Sequence, residues 1–171
     1  MSLPEPGTEG AVVAPAGVVE SRLAALGLRV PAVAAPVAAY VPAVRQGDLV
    51  WTSGQLPFVD GVLAGTGLVG EGPGLVAPSE ATALARVCVL NALAALRSVI
   101  GDLDRVVQVV KLVGFVASAP SFTGQPGVVN GAIELLGAAF GEAGRHARSA
   151  VGVAVLPLGA PVEIELVAAV R

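Results

Sequence analysis

A chain of 171 residues is the size of one domain and can enclose a core without disulfides or a structural metal. Its apolar residues, 54% of the total and mostly Ala and Val, demand a core of small side chains. Ten Lys and Arg against thirteen Asp and Glu give a net charge of -3. No two basic residues adjoin, so the positive footprint that displaces counterions from phosphates is missing, and no nucleic-acid partner is expected.

Residues 1–16 are rich in Pro, Gly and Ala without periodicity and read as a flexible tail, which leaves 17–171 as a single domain. The opening Met-Ser-Leu-Pro-Glu-Pro-Gly has neither a basic nor an apolar leader region, so cytoplasm is the expected location. Val19, Leu23 and Leu26 recur at helical spacing and predict a short helix over Val18–Leu26, stopped by Gly27. Three prolines make Pro31–Pro42 extended and irregular. A strand over Asp48–Leu56 follows, and the Asp60-Gly61 turn joins it in a hairpin to Gly61–Gly65. Ser79 is placed to cap a helix carrying Leu84, Val87, Cys88, Leu93 and Leu96, which ends near Gly101. Val106–Val116 is β-branched and predicts a central strand. A helix over Gly127–Phe140 ends at Gly141. The stretch from Leu112 to Ile133 has no charge and is long enough to span a membrane, but Pro120, Gln125, Pro126 and Asn130 interrupt it, so no membrane span is expected.

Ala147–Leu156 and Pro161–Val170 are two closing strands, joined as a hairpin through Pro157–Ala160. The order β-β-α-β-α-β-β predicts an α+β fold, an antiparallel or mixed sheet with two helices on one face. In that hairpin Ala154 pairs with Glu163, and Arg148 lies on the same face roughly 20 Å further along. If both residues serve one ligand, Glu163 comes from a neighbouring chain.

Several patterns carry little chemistry. Gly65-Thr-Gly67-Leu-Val-Gly70 has the glycine spacing of a dinucleotide fingerprint, but Gly72, Pro73, Gly74 and Pro78 follow where that motif needs a helix. Cys88 sits in an apolar helical stripe and reads as a small core residue. His146 is the sole histidine and cannot supply the ligand set of a zinc site. Thr52-Ser53-Gly54 has no evident triad partners.

Three positions stand out. Arg148 begins an apolar strand, and its rigid fork suits a small carboxylate; it could equally be an exposed strand-end residue or pair with Glu142. Glu163 and Glu165 share a face between Val162, Ile164 and Leu166. Either that face is half-solvated, or a carboxylate stands over a cavity where it orients a water or accepts a proton. Asn130 and Asn91 are amides in apolar stretches, for which a cap or a core hydrogen bond is the ordinary explanation.

Tyr40-Val41-Pro42-Ala43-Val44, Gly47-Asp48-Leu49-Val50-Trp51-Thr52-Ser53-Gly54-Gln55-Leu56-Pro57, Asn130, Ala147-Arg148-Ser149 to Leu156-Pro157 and Val162-Glu163-Ile164-Glu165 stand in the order of the Rid (reactive intermediate deaminase, YjgF-like) family. In those words the chain resembles that family from Tyr40 to Val170. The resemblance implies a chorismate-mutase-like α+β fold, three copies closing around a central β-barrel, and clefts between subunits. It implies a pocket lined by Tyr40, Ser53, Asn130 and Glu163, with Arg148 holding the ligand carboxylate. The activity implied is hydrolysis of reactive enamines and imines to 2-keto acids and ammonia without a cofactor or metal, with Arg148 and Glu163 as catalytic residues: Arg148 anchors the carboxylate, and Glu163 or a backbone carbonyl places water against the imine carbon. The alternative is a trimer that binds a small acid without turnover; ribonuclease activity fits poorly with the acidic balance. Many deaminase members carry Cys two residues after the Arg, where this chain has Ala150. The leading helix and the long 112-to-130 connection resemble a divergent branch.

Overall fold

The computed structural model describes residues 17–33 and 40–171. The proposed tail and positions 34–39 of the proline-rich segment lie outside the described residues.

The leading helix forms as α1, Val18–Ala25, with Val19 and Leu23 buried. Its first turn has no cap of its own. The Asp104 carboxylate supplies one from a distance, accepting from the backbone N–H of Val18 at 2.7 Å and of Val19 at 2.9 Å, so two donors that a helix start leaves unpaired are satisfied.

Strands β1, Ala43–Gln46, and β2, Leu49–Thr52, form an antiparallel pair around Gly47, whose φ of 59° suits glycine. The expected hairpin across Asp60-Gly61 is different. That turn closes a separate ribbon of β3, Phe58–Val59, and β4, Val62–Leu63. Asp60 and Gly61 both have positive φ, 50° and 80°, which couples the immediately flanking residues. Strand β2 has turned away by then and pairs with β1 on one side and the last strand on the other.

Helix α2, Pro78–Ile100, begins two residues earlier than a Ser79 cap would set it. Ala77 stands at the cap position without a side-chain bond and Pro78 takes the first turn, where its missing N–H costs nothing. Gly101 ends the helix at φ 81°. By length and composition α2 could cross a membrane, yet Leu84, Val89, Leu93 and Leu96 are buried in the fold and make it the core helix.

Strand β5, Val106–Ala117, is followed by α3, Gln125–Phe140, then β6, Ala147–Val153, and β7, Val162–Val170. The mixed five-stranded sheet has the order β1-β2-β7-β5-β6. The closing strands are therefore not a hairpin: β5 lies between them, antiparallel to β7 and parallel to β6. The physical reason is α3. A helix between two strands carries the chain back across the sheet, so the next strand enters parallel to the first. The Pro157–Gly159 turn, with Leu158 at φ 58°, then leads β7 to the far side of β5.

Helices α2 and α3 cover one face of this sheet. Val162, Ile164, Leu166, Ala168 and Val170 of β7 point toward them and are buried, while the alternate residues are half-exposed. Small residues let the layers close up, as the Ala- and Val-rich composition requires. A Cβ on Gly131 would stand 2.2 Å from the Thr82 carbonyl oxygen, so α2 and α3 touch backbone to backbone there.

Candidate functional site

Arg148 sits on edge strand β6 opposite Leu112, a buried residue of the helix-facing side of β5. Its side chain reaches α3. Nη1 donates to the Pro126 carbonyl at 3.2 Å and to Asn130 Oδ1 at 3.0 Å. Both hydrogens of Nη1 are thereby used, and the other edge of the guanidinium, Nε–H with Nη2, has no partner among the described residues. That edge is the one with two parallel donors, the geometry a carboxylate accepts. Of the alternatives for Arg148, the pair with Glu142 does not form, since Arg145 takes that carboxylate at 3.1 Å. Asn130 is exposed rather than buried in the core; it orients Arg148.

Glu163 belongs to a second cluster. Thr52 Oγ1 accepts from the Leu166 N–H at 3.0 Å, and Gln55 exchanges backbone bonds with Ile164 at 2.9 and 3.1 Å. These bonds press Ser53 and Gly54 against the start of β7. A Cβ on Gly54 would lie 1.7 Å from Glu163 Oε1, so only glycine leaves room for that carboxylate. Glu163 is half-buried and accepts no hydrogen bond among the described residues. Burial first, then the neighbouring Glu165 charge, pushes its carboxyl above the ordinary value. Ser53 Oγ donates to the Val41 carbonyl at 2.7 Å and its N–H to Pro42 at 2.8 Å. Its hydroxyl thus ties down the segment that follows Tyr40, which is exposed.

The five candidate residues accordingly fall into two groups, Arg148 with Asn130 and Glu163 with Ser53 and Tyr40. Their faces differ. Arg148 points to the helix side, and Glu163, opposite Phe115 on β5, points to the uncovered side. This corrects the expected placement on one face of a hairpin. Two strand spacings and three residues of rise separate them by about 14 Å between Cα atoms. Their failure to meet within one chain stands, for a different reason.

Sequence reasoning missed Gly54 and the Pro126 carbonyl as parts of these clusters. The first had a signal in the run Ser53-Gly54-Gln55; the second had none, because a backbone carbonyl leaves no mark in a sequence. Cys88 and Asn91 are structural here. Cys88 is fully buried with Sγ 3.6 Å from the Val162 carbonyl, and burial pushes its thiol well above the usual range, with the Glu163 charge adding to the effect. Asn91 Nδ2 donates to the Leu56 and Phe58 carbonyls at 2.9 and 3.0 Å and holds the β3 ribbon.

Residues 20–170 match the family described as "YjgF/chorismate_mutase-like, putative endoribonuclease". Protein TCP17 of Trypanosoma cruzi is 46% identical over 154 residues, which cover 90% of this chain and 94% of that one. Among solved structures, the protein Atu1372 of Agrobacterium tumefaciens, of unknown function, is 44% identical with a TM-score of 0.83, covering 90% of this chain and 93% of its own. TdcF of E. coli, solved with bound serine, is 25% identical with a TM-score of 0.55, covering 82% and 93%. The contrast between 0.83 and 0.55 accords with a divergent branch. By the family match across nearly all of the described residues and the relatives' coverage, the chain belongs to the YjgF/chorismate-mutase-like family and carries its mixed α+β fold.

Proposed function

We propose that this chain is an enamine/imine deaminase, a hydrolase that converts reactive 2-imino acids and their enamines to 2-keto acids and ammonia. The observation that carries this reading is the unpartnered Nε–Nη2 edge of Arg148, held in place through Nη1 by Asn130 and Pro126. A fork fixed on one edge and open on the other binds a carboxylate with little ordering cost. TdcF, with its bound serine, shows a relative taking a small molecule that bears such a carboxylate.

The second group supplies the water chemistry. Glu163, with a raised affinity for protons and no hydrogen-bond partner, is suited to take a proton from water as its oxygen adds to the imine carbon. With the imine entering as its iminium, this gives a neutral carbinolamine; Glu163 then returns the proton to nitrogen, and as the C–N bond breaks the hydroxyl proton passes back to Glu163, leaving a ketone and ammonia. No cofactor or metal is needed, because imine carbon is already electrophilic.

Since Arg148 and Glu163 lie on opposite faces, we take the site to be completed by a neighbouring copy in a homotrimer, whose uncovered sheet faces form a central barrel. Val44, Trp51 and Val151 leave apolar surface exposed on the described chain, which supports such a cover. Tyr40 and Ser53 then line the pocket beside Glu163. The net charge of -3 and the single histidine argue against RNA as substrate, and a reducing, cytoplasmic setting suits the lone thiol.

The test is release of 2-keto acid from freshly generated 2-aminoacrylate or 2-iminobutyrate. Wild type accelerates it, and Arg148→Ala, folded and of unchanged assembly, loses about ten- to a hundredfold, the worth of a charge-assisted pair. Small-acid binding without acceleration would establish the non-catalytic alternative, and unchanged kinetics in the variant would reject the anchor.

A further inference from the structure

We infer that the preferred substrate carries a second acidic group, so that the enzyme acts on dicarboxylic rather than simple aliphatic 2-imino acids. The inference rests on the reading of Arg148 as the carboxylate anchor. A cleft of about 370 Å³ runs between α3 and the start of β6, lined by Ile133, Gly137, Gly144, Arg145, His146 and Arg148. That volume is within the range of small-molecule sites, roughly 300–1,000 Å³. Two guanidiniums and an imidazole contribute to it, and no carboxylate does.

The charges lie at two ends. Arg148 is anchored at Asn130, near the start of α3, while Arg145 and His146 follow Gly144 beyond its end. Along α3, Asn130 and Gly137 are about 10 Å apart at 1.5 Å per residue. The Arg145 end is available to a ligand. Its pair with Glu142 has both side chains 80% or more exposed, and such surface pairs yield readily to a competing anion. His146 Nδ1 lies 2.6 Å from the Gly144 carbonyl. A carbonyl only accepts, so Nδ1 carries the proton, and Nε2 donates to a carboxylate only when the ring is doubly protonated, which leaves Arg145 as the standing donor at this end.

Glycine keeps the cleft open. A Cβ at Gly137 would meet no atom within 4 Å, and helix propensity alone would favour almost any other residue there. A larger side chain at that position would fill the groove without disturbing the packing of α3. An imino acid with a short aliphatic tail would leave the Arg145 end occupied by water. A second carboxylate would reach it and gain a charge-assisted contact.

Calorimetric titration of the full chain with two product-like keto acids, 2-oxobutyrate and 2-oxoglutarate, tests this. Wild type is expected to bind 2-oxoglutarate about tenfold more tightly, the worth of one added hydrogen bond to a charged group. In both Arg145→Ala and Gly137→Leu that preference falls to near parity. Circular dichroism checks folding, and if Gly137→Leu does not fold, Arg145→Ala decides. Parity in wild type, or a preference that persists in the folded variants, would overturn the dicarboxylate inference while 2-oxobutyrate binding upholds the anchor. Binding of neither acid by wild type would overturn the anchor and this inference together.

Discussion

Arg148 and Glu163 show how a side chain's surroundings select its chemistry. Arg148 is half-used: one edge of its fork is spent on α3 and the other is open. Glu163 is half-buried without a partner, and its carboxyl binds protons more readily than an exposed one. Because that value is raised in the folded chain, the stability it contributes is present below the unfolded carboxyl's value and is lost as pH rises through the folded one. Glu163→Gln should therefore melt at a higher temperature than wild type at pH 7, with the difference shrinking toward pH 4. Thermal melts across that interval check it; an equal difference at both pH values would contradict the assigned cause. Cys88 offers a complementary test. Buried completely, with its thiol pushed well upward, it should resist labelling by iodoacetamide in the native protein and react once denatured. Cys88→Ala should retain turnover, and its loss in a folded variant would reopen a thiol mechanism.

At the scale of elements, close packing by glycine places α3, and α3 places Asn130. Gly131 lies against Thr82 on α2 with no room for a methyl group, and Gly114 on β5 similarly admits Val129 of α3, whose side chain would be 2.5 Å from an added Cβ. Both contacts bring α3 down onto the sheet at the turn that carries Asn130. Gly131→Ala should cost about 1–3 kcal/mol by overpacking, despite alanine's better helix propensity. Urea denaturation would measure this, and a neutral or stabilising result would show that α2 and α3 can separate freely.

For the molecule as a whole, the sheet is a wall between the two clusters. Within one chain neither group can reach the other's ligand, so the proposed deaminase requires assembly. Arg148→Ala and Glu163→Ala, each first shown to be at least tenfold impaired, should rise in activity above either alone when mixed under conditions that exchange subunits, because a mixed trimer brings an intact Arg148 from one chain to an intact Glu163 from another. Native mass spectrometry confirms the mixing. Activity no higher than that of either variant alone in confirmed mixed trimers would sink the shared site.

Local order was legible in the sequence because its causes are local. Alternation in Val162-Glu163-Ile164-Glu165-Leu166 determined which side chains of β7 face the helices, and Gly101 and Gly141 ended α2 and α3 where helical backbone could not continue without them. The words around Ser53, Arg148 and Glu163 also carried the family. Only the tertiary structure decided what those residues face. Two adjacent valine-rich strands look like a hairpin in sequence, and nothing in residues 147–170 announces that β5 lies between them. That outcome depends on the crossover through α3, many residues upstream, and it reverses the face assigned to Arg148. The partner of Nη1 was equally hidden, since one of its acceptors is a backbone carbonyl, Pro126, which every residue type possesses. Periodicity is set by each strand's own residues, whereas strand order and the open edge of a guanidinium are set by contacts between segments far apart in the chain.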